Sequence, residues 1–301
     1  METTKDKKLY LADISLLFVA AVWGGGFVAV KDALNTVTPF LLMALRFILA
    51  SGIMYIFLRK KIGKITIKDF KKGSVVGFFL YLAFAFQTFG LQYTTASKQG
   101  FLTATYVVMV PLIYWALYNK RPPVKAFIGS GITIAGISLI SLENSLSLNF
   151  GDTLTLICAL LFAMHIISIE YFAKKMDTTK LAFIQLFVAA ILFTISTIIF
   201  EPIKLDLSSR AWGSVIYLAI FSTFACFTVQ TIAQKYTTSS HASIIMSLES
   251  VFASIFGVIF LKEVMTKNIL IGCSLIFIAI LIIEVDLKKL FFNSDSKKDI
   301  V

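Results

Sequence analysis

Long apolar runs separated by short polar segments make up almost the entire chain. Each run is close to the roughly 20 residues that a helix rising 1.5 Å per residue needs to cross the hydrocarbon of a bilayer. The pattern predicts ten membrane-spanning helices, beginning near residues 11, 39, 73, 100, 124, 152, 181, 211, 242 and 268. The first ten residues are polar and no cleavage site follows the first apolar run, so we expect a retained helix rather than a signal peptide.

An internal repeat relates the two halves of the chain. The segment from Phe84 to Ile137 returns, shifted by 143 positions without a gap, as Phe227 to Ile280. The sequence YTTAS before the fourth run corresponds to YTTSS before the ninth. Because each half holds five spans, an odd number, the second half enters the membrane from the opposite side. The predicted fold class is an all-α polytopic membrane protein of two inverted five-helix repeats.

The same pattern predicts the domain boundaries and the orientation. The repeats cover 11–142 and 151–287, followed by a polar cytoplasmic tail at 288–301. With the N-terminus inside, 21 of the 28 Lys and Arg residues lie in inner segments, six lie in outer ones and Arg46 lies within a span. This asymmetry predicts a multi-pass plasma-membrane protein with both termini in the cytoplasm. We favour the same topological role for the basic segment 59–72 over binding to anionic headgroups.

Composition supports the membrane class and excludes others. The chain is 58% hydrophobic and 15% charged, which is far more apolar than a soluble core needs. A net charge of +11 would suggest nucleic-acid binding in a soluble protein, but these charges lie between the spans, so we expect no nucleic-acid partner. Cys158, Cys226 and Cys273 are scattered singly in apolar runs and receive no disulfide or metal role.

Several motifs occur in a recognisable order. They are WGGGF at 23–27, Arg46 in the second helix, YTTAS at 93–97, LESVFA at 248–253 and Gly272. Over residues 11–287 the chain resembles the drug/metabolite transporter (DMT) superfamily, specifically the bacterial EamA-type permeases. The resemblance implies a secondary carrier with a cavity formed mainly by helices 1, 3, 4, 6, 8 and 9. Such carriers mostly export amino acids, other small metabolites or drugs.

This chain departs from the family pattern at two places. The usual Glu-Pro of the ninth helix is Glu249-Ser250 here, so no proline supports a kink at that point. Lys262-Glu263 stands where the family commonly has Gly-Glu.

Glu249 is the main candidate for substrate binding or proton coupling. A charge in mid-span costs about 2.5 to 3.5 kcal/mol on insertion scales, so it needs a reason. We expect Glu249 to hold a cationic or amino group, or a coupling proton, and its repeat counterpart Tyr106 to face the same cavity. A structural glutamate bonded to helix ends is the alternative. On depth alone Glu249 pairs better with His165 than with Arg46, which is a secondary candidate.

The remaining candidates each have a structural alternative. Gln87 and Gln230 form a repeat-related pair that could bind substrate, gate the cavity or join helices. Trp23, near the midplane, is either a cavity wall or a packing residue. His165 could carry a proton, although a lone buried histidine is usually a satisfied core residue. Pro111 lies in mid-helix and is a candidate hinge beside Tyr106.

No motif for a cofactor, a metal or ATP survives inspection. GGGFVA at 24–29 matches a dinucleotide fingerprint but lies inside a span, and no Gly-Lys-Ser/Thr phosphate loop occurs. His165 and His241 lack further ligands at metal spacing.

The sequence therefore predicts a non-enzymatic secondary transporter that exports a small metabolite by alternating access. Its expected partners are that substrate, the bilayer and a proton as coupling ion, and the pattern leaves the oligomeric state open. The alternatives are a flippase for a lipid-linked sugar and, less favoured, a membrane enzyme.

Overall fold

The computed structural model describes residues 2–119, 121–141 and 149–284, and ten helical spans fill most of that part of the chain. The helices are α1 Glu2–Ala33, α2 Pro39–Ile62, α3 Ile67–Gln92, α4a Ala96–Ala104, α4b Tyr106–Tyr118, α5 Val124–Ser141, α6 Phe150–Ala173, α7 Thr178–Phe200, α8 Ser209–Ala233, α9a Ser239–Ser247, α9b Glu249–Leu261 and α10 Lys267–Glu284.

Eight of these spans, with α4a–α4b and α9a–α9b counted as one each, are long and apolar enough to cross a membrane unaided. The apolar parts of α5 and α10 are shorter, Phe127–Gly136 and Lys267–Ala279. The all-α, ten-span prediction is confirmed. The predicted tail at 288–301 lies outside the described residues. We call the side holding the start of α1 the N-terminal face and the other side the opposite face.

Matching cap residues start α4a and α9a. The Thr95 side chain accepts a hydrogen bond from the Lys98 backbone N–H, and the Thr238 side chain accepts one from the His241 backbone N–H. Threonine caps satisfy amide groups that the first helical turn leaves without partners. The repeated Tyr-Thr-Thr motif therefore marks the start of a helix in each half.

The fourth and ninth spans are each interrupted at one residue. The interruptions fall at Thr105 and Leu248, 143 positions apart. The Thr105 hydroxyl donates to the Leu102 carbonyl and the Ser247 hydroxyl donates to the Ile244 carbonyl, both at 2.6 Å. Hydroxyls that bond back to the preceding turn bend helices. A hydroxyl bonded back to the preceding turn therefore accompanies each interruption.

Proline is not required for these interruptions. Pro111 lies inside α4b, six positions after Thr105, and the corresponding position of α9b is Ser254. The ninth span is nevertheless broken at Leu248, just before Glu249. The absence of the family's proline after Glu249 has not removed the break.

The two repeats interlock rather than lie side by side. Helix α3 packs on α6 and α7, α2 packs on α7, α1 and α4a pack on α9b, and α5 packs on α10. At the centre Phe84 contacts the rings of Phe47, Phe162 and Phe227, with centroids 5.3 to 5.9 Å apart. Edge-to-face rings of this kind fill a core densely. The cavity described next opens beside this aromatic cluster.

Candidate substrate-binding site

A cavity lies between helices of both repeats. It encloses about 550 Å³ of space not filled by protein atoms, its mouth included. Helices α1, α2, α3, α6, α8 and both broken spans contribute to its walls. Most of its surface is apolar, and the aromatic part consists of Trp23, Phe27, Phe84, Phe162 and Phe227. Apolar walls with a few polar groups are typical of binding sites for small organic ligands.

Arg46 supplies a positive charge on one wall. Its side chain is buried, donates from Nη2 to the Ser222 hydroxyl at 3.0 Å, and donates from Nε to the Thr223 hydroxyl. Its guanidinium carbon lies 4.5 Å from the ring centroid of Phe84. Among the salt bridges of the described residues, none involves Arg46. The guanidinium is therefore held by hydroxyls and a ring, not by a carboxylate.

An irregular turn of α8 positions that arginine. Residues Leu218–Ala225 form a π-helical stretch, which presents the Ser222 and Thr223 hydroxyls to Arg46. The Ser222 carbonyl also accepts a 2.8 Å hydrogen bond from the Trp23 indole N–H. π-Helical turns occur frequently at functional sites. This one fixes both the charged and the aromatic side of the cavity.

Glu249 supplies a carboxyl group on another wall. It is the first residue of α9b and only 5% exposed, so its carboxyl lies at the positive end of a half-helix. Tyr106, its repeat counterpart, is likewise the first residue of α4b. The Tyr106 hydroxyl faces the Glu249 carboxyl without meeting hydrogen-bond geometry. No salt bridge among the described residues involves Glu249.

Other polar atoms on the cavity wall also lack partners. The Tyr106 hydroxyl and the side-chain carbonyl oxygens of Gln99 and Gln230 are buried and make no hydrogen bond to any described residue. Buried polar groups in folded proteins are nearly always satisfied. Three residues of one cavity therefore carry polar atoms without partners, beside a guanidinium and a carboxyl group without ionic partners, and such groups are available to a ligand.

Comparison with known proteins gives the family. The model of the EamA-like transporter family matches residues 10–142 and again 149–285. The chain belongs to the EamA-like transporter family. The predicted kinship with the DMT superfamily and its EamA branch is confirmed, and this EamA-like protein is a multi-pass membrane transporter.

Individual relatives agree with that membership. A protein named an uncharacterized transporter from Archaeoglobus fulgidus is 36% identical, over 92% of this chain and 87% of its own length. The uncharacterized transporter YoaV of Bacillus subtilis is 23% identical, over 87% of this chain and 93% of its own length. A solved crystal structure shares the fold, with a TM-score of 0.69 at 18% identity, and covers 95% of this chain and 99% of that one.

Most of the candidates from sequence meet at the cavity of this EamA-like transporter. Glu249, Tyr106, Trp23, Gln87 and Gln230 all line it, together with the secondary candidate Arg46. Gln87 donates weakly to the Thr103 hydroxyl at 3.4 Å. The helices that line it are those implied by the family resemblance, with α2 added.

His165 does not line the cavity. It is fully buried behind Phe162 and Phe227, and its Nε2 hydrogen-bonds the Gln185 side-chain oxygen at 2.8 Å. Gln185 in turn donates to the Thr231 hydroxyl. Depth along the membrane normal gives the height of a residue but not the face of the helix it occupies. The predicted pairing of Glu249 with His165 was wrong for this reason, and the residue that shares the cavity with Glu249 is Arg46.

Sequence reasoning also missed residues of the wall. Gln99 and Ser222 could have been predicted, because they are polar residues within membrane spans. The phenylalanines of the wall could not, because nothing in the sequence distinguishes them from phenylalanines that face lipid.

In this transporter, a carboxylate distant in sequence caps the first residues of each broken span. On the opposite face, Glu263 accepts hydrogen bonds from the backbone N–H groups of Ala96 and Ser97, at 2.6 and 3.0 Å. On the N-terminal face, Glu170 accepts from the Ser239 N–H and hydroxyl, at 2.7 and 2.6 Å. Ser239 is the repeat counterpart of Ala96. A carboxylate from another helix therefore caps the start of the broken span on each face.

Proposed function

We propose that this protein is a secondary carrier for a small zwitterionic or amino-bearing metabolite, such as an amino acid. One observation carries the proposal: Glu249 and Arg46 face the same cavity, and neither forms a salt bridge with a described residue. Unpaired buried charges are costly, so a ligand that pairs with both would be favoured. The family supports transport, and the names of the relatives above give no substrate.

The wall chemistry supports a particular binding mode. The substrate's amino group would lie at Glu249 and its carboxylate at Arg46, where a guanidinium offers two parallel donors. The apolar part of the substrate would pack on Trp23 and Phe84, and a cationic group near these rings would gain further attraction. The unpartnered oxygens of Gln99 and Gln230 would accept from the remaining N–H groups of the ligand.

The carrier would work by alternating access without enzymatic chemistry. The interruptions at Thr105 and Leu248 would allow each half-helix to move on its own, with Pro111 weakening α4b further. Transport would be driven by a proton gradient or by the gradient of the substrate, and Glu249 is the group that would carry the proton. We place the protein in the plasma membrane with both termini in the cytoplasm and propose that it exports its substrate.

Thermal unfolding of the purified protein against a ligand panel tests this function. The panel contains amino acids, matched amines and carboxylic acids, nucleosides, and lipid-linked sugars. A ligand at one hundred times its dissociation constant adds about 2.7 kcal/mol of stability. We expect amino acids to raise the unfolding temperature more than the matched amines or acids.

Two variants complete that test. Glu249→Gln should lose the response to amino acids and amines. Glu201→Gln is the matched control, because Glu201 bonds the Phe40 and Leu41 N–H groups at the start of α2, away from the cavity. Stabilisation by lipid-linked sugars alone, or an unchanged amino-acid response in Glu249→Gln, would overturn the proposal.

A further inference from the structure

Two ion pairs lie at the starts of the two broken spans, on opposite faces of the protein. Lys98 Nζ lies 2.8 Å from Asp152 Oδ2 and joins α4a to α6. His241 Nε2 lies 3.0 Å from Asp13 Oδ1 and joins α9a to α1. Lys98 and His241 are 143 positions apart, the spacing of the repeat. Asp13 and Asp152 are 139 positions apart, four fewer than that spacing, and each stands three residues after the start of a segment matching the family.

Each ion pair accompanies one of the capping carboxylates. Lys98 follows the Ala96 and Ser97 amides that Glu263 caps, and His241 follows the Ser239 amide that Glu170 caps. We call the first group the opposite-face closure and the second the N-terminal-face closure. Opening the cavity at one end by moving α4a or α9a requires the ion pair at that end to separate.

The two pairs differ in burial and in the chemistry of the cation. The Asp152 side chain is fully buried and that of Lys98 is 14% exposed, whereas the side chains of His241 and Asp13 are 34% and 31% exposed. Lysine keeps its charge across physiological pH. Histidine is the side chain that gains or loses its charge near neutral pH. Only the second pair is therefore built to weaken as the medium becomes alkaline.

Several charged groups surround His241. Asp13 on α1 is the carboxylate in contact with it. Lys174, which pairs with Glu170 at 2.6 Å, and Lys235 line the same shallow surface depression. Lys8 lies 5.5 Å from the ring centroid of Tyr236, which also lines that depression. The lysines oppose a charge on His241, and the contact with Asp13 is strengthened by that charge.

We propose that the Lys98–Asp152 and His241–Asp13 pairs are the two gates of the carrier, and that His241 makes the gate on the N-terminal face sensitive to pH. This inference rests on the alternating-access mechanism and the cytoplasmic orientation proposed above. Acidification of the cytoplasm charges His241 and holds that gate closed. A rise in pH neutralises it and opens the gate more often. The Lys98–Asp152 gate does not respond.

Labelling of a cysteine in the cavity tests the proposal without any substrate. The three native cysteines are replaced by serine, and Ile166→Cys in the cavity wall is labelled by a membrane-impermeant maleimide added from the N-terminal face of reconstituted vesicles. Val30→Cys, on the wall nearer the opposite face, is labelled from that side. Because thiols react faster as pH rises, both rates are divided by that of the exposed Lys61→Cys.

The expected effect is modest because the His241–Asp13 pair is partly exposed. An ion pair of this kind changes an equilibrium by about two- to fivefold. Between about pH 6 and about pH 8, on either side of the normal histidine titration, the normalised rate at Ile166→Cys should rise by that factor. The rate at Val30→Cys should stay constant.

Exchanging the two cations provides the decisive variants. His241→Lys should abolish the pH response at Ile166→Cys, and Lys98→His should create one at Val30→Cys. If either variant fails to fold, Asp13→Asn serves instead, and it should raise the rate at acidic pH and flatten the response. A flat wild-type profile, or a response that survives in His241→Lys or Asp13→Asn, would overturn the proposal. If the labelling results are as expected but no amino acid in the ligand panel stabilises the protein, the proposed substrate is wrong and the proposed gates are not.

Discussion

The two ends of the cavity are built from the same repeated segment, yet one is closed more tightly than the other. On the opposite face, α4a and α1 pack extensively on α9b. On the N-terminal face, the corresponding contacts, α9a on α4b and α4b on α6, are less extensive. The ion pair is nearly buried at the first end and partly exposed at the second. The repeat thus supplies two corresponding closures, and the residues that differ between the two halves set their relative strengths.

Glycines account for part of this difference. A Cβ on Gly24 of α1 would overlap the Phe252 Cβ and lie 2.8 Å from the Ala253 backbone nitrogen. A Cβ on Gly100 of α4a would lie 2.7 Å from the Ala253 Cβ. Small residues let membrane helices approach closely, and here both approach the same turn of α9b. The repeat counterpart of Gly100 is Ser243, so α9a lacks this feature.

The largest expected effect follows from filling this contact. Gly24→Ala should destabilise the protein by about 1 to 3 kcal/mol, because α9b backbone atoms must shift to accept the new methyl group. Thermal unfolding in detergent measures this. Gly52→Ala is the matched control, since a Cβ there meets nothing within 4 Å. Equal unfolding temperatures for the two variants would show that the tight α1–α9b contact is not what stabilises this end.

The capping carboxylates compare the two ends directly. Glu263→Gln and Glu170→Gln should each cost about 1 to 3 kcal/mol, because a carboxylate that accepts bonds with both oxygens is replaced by a group with one acceptor. Each variant should also open the cavity at its own end. Glu263→Gln should raise the labelling rate of Val30→Cys, and Glu170→Gln should raise that of Ile166→Cys. Both variants raising the same reporter would contradict the assignment of one closure to each end.

The smallest effect should come from the repeat counterpart of Glu249. Tyr106→Phe removes a hydroxyl that has no hydrogen-bond partner among the described residues, so unfolding of the free protein should change little. If the hydroxyl bonds the ligand, affinity should fall by about 0.5 to 1.5 kcal/mol, up to roughly tenfold. Isothermal titration with the ligand identified from the panel measures this. Lost stability without lost affinity would assign Tyr106 a packing role.

The fold was largely predictable because the bilayer constrains it. Backbone groups in hydrocarbon must bond within their own helix, so the length and number of the apolar runs predict the spans. The Tyr-Thr-Thr motifs precede both broken spans, but the predicted starts near residues 100 and 242 fall four and three residues after the observed starts of α4a and α9a. Glu249 and Tyr106 could be predicted as cavity residues for two reasons. A polar group within a span is costly, and the two residues occupy corresponding positions of the repeat.

The sequence by itself determined the ten spans, the repeat and most of the polar residues that line the cavity. Tertiary structure decided that Arg46 and not His165 shares the cavity with Glu249, that the ninth span breaks without a proline, and that Glu263 and Glu170 cap helices more than 60 residues away in the chain. The local pattern of apolar and polar residues predicts where each helix enters and leaves the bilayer. The rotation of each helix about its axis, and hence the partner each buried polar group meets, is set by how all ten spans pack together.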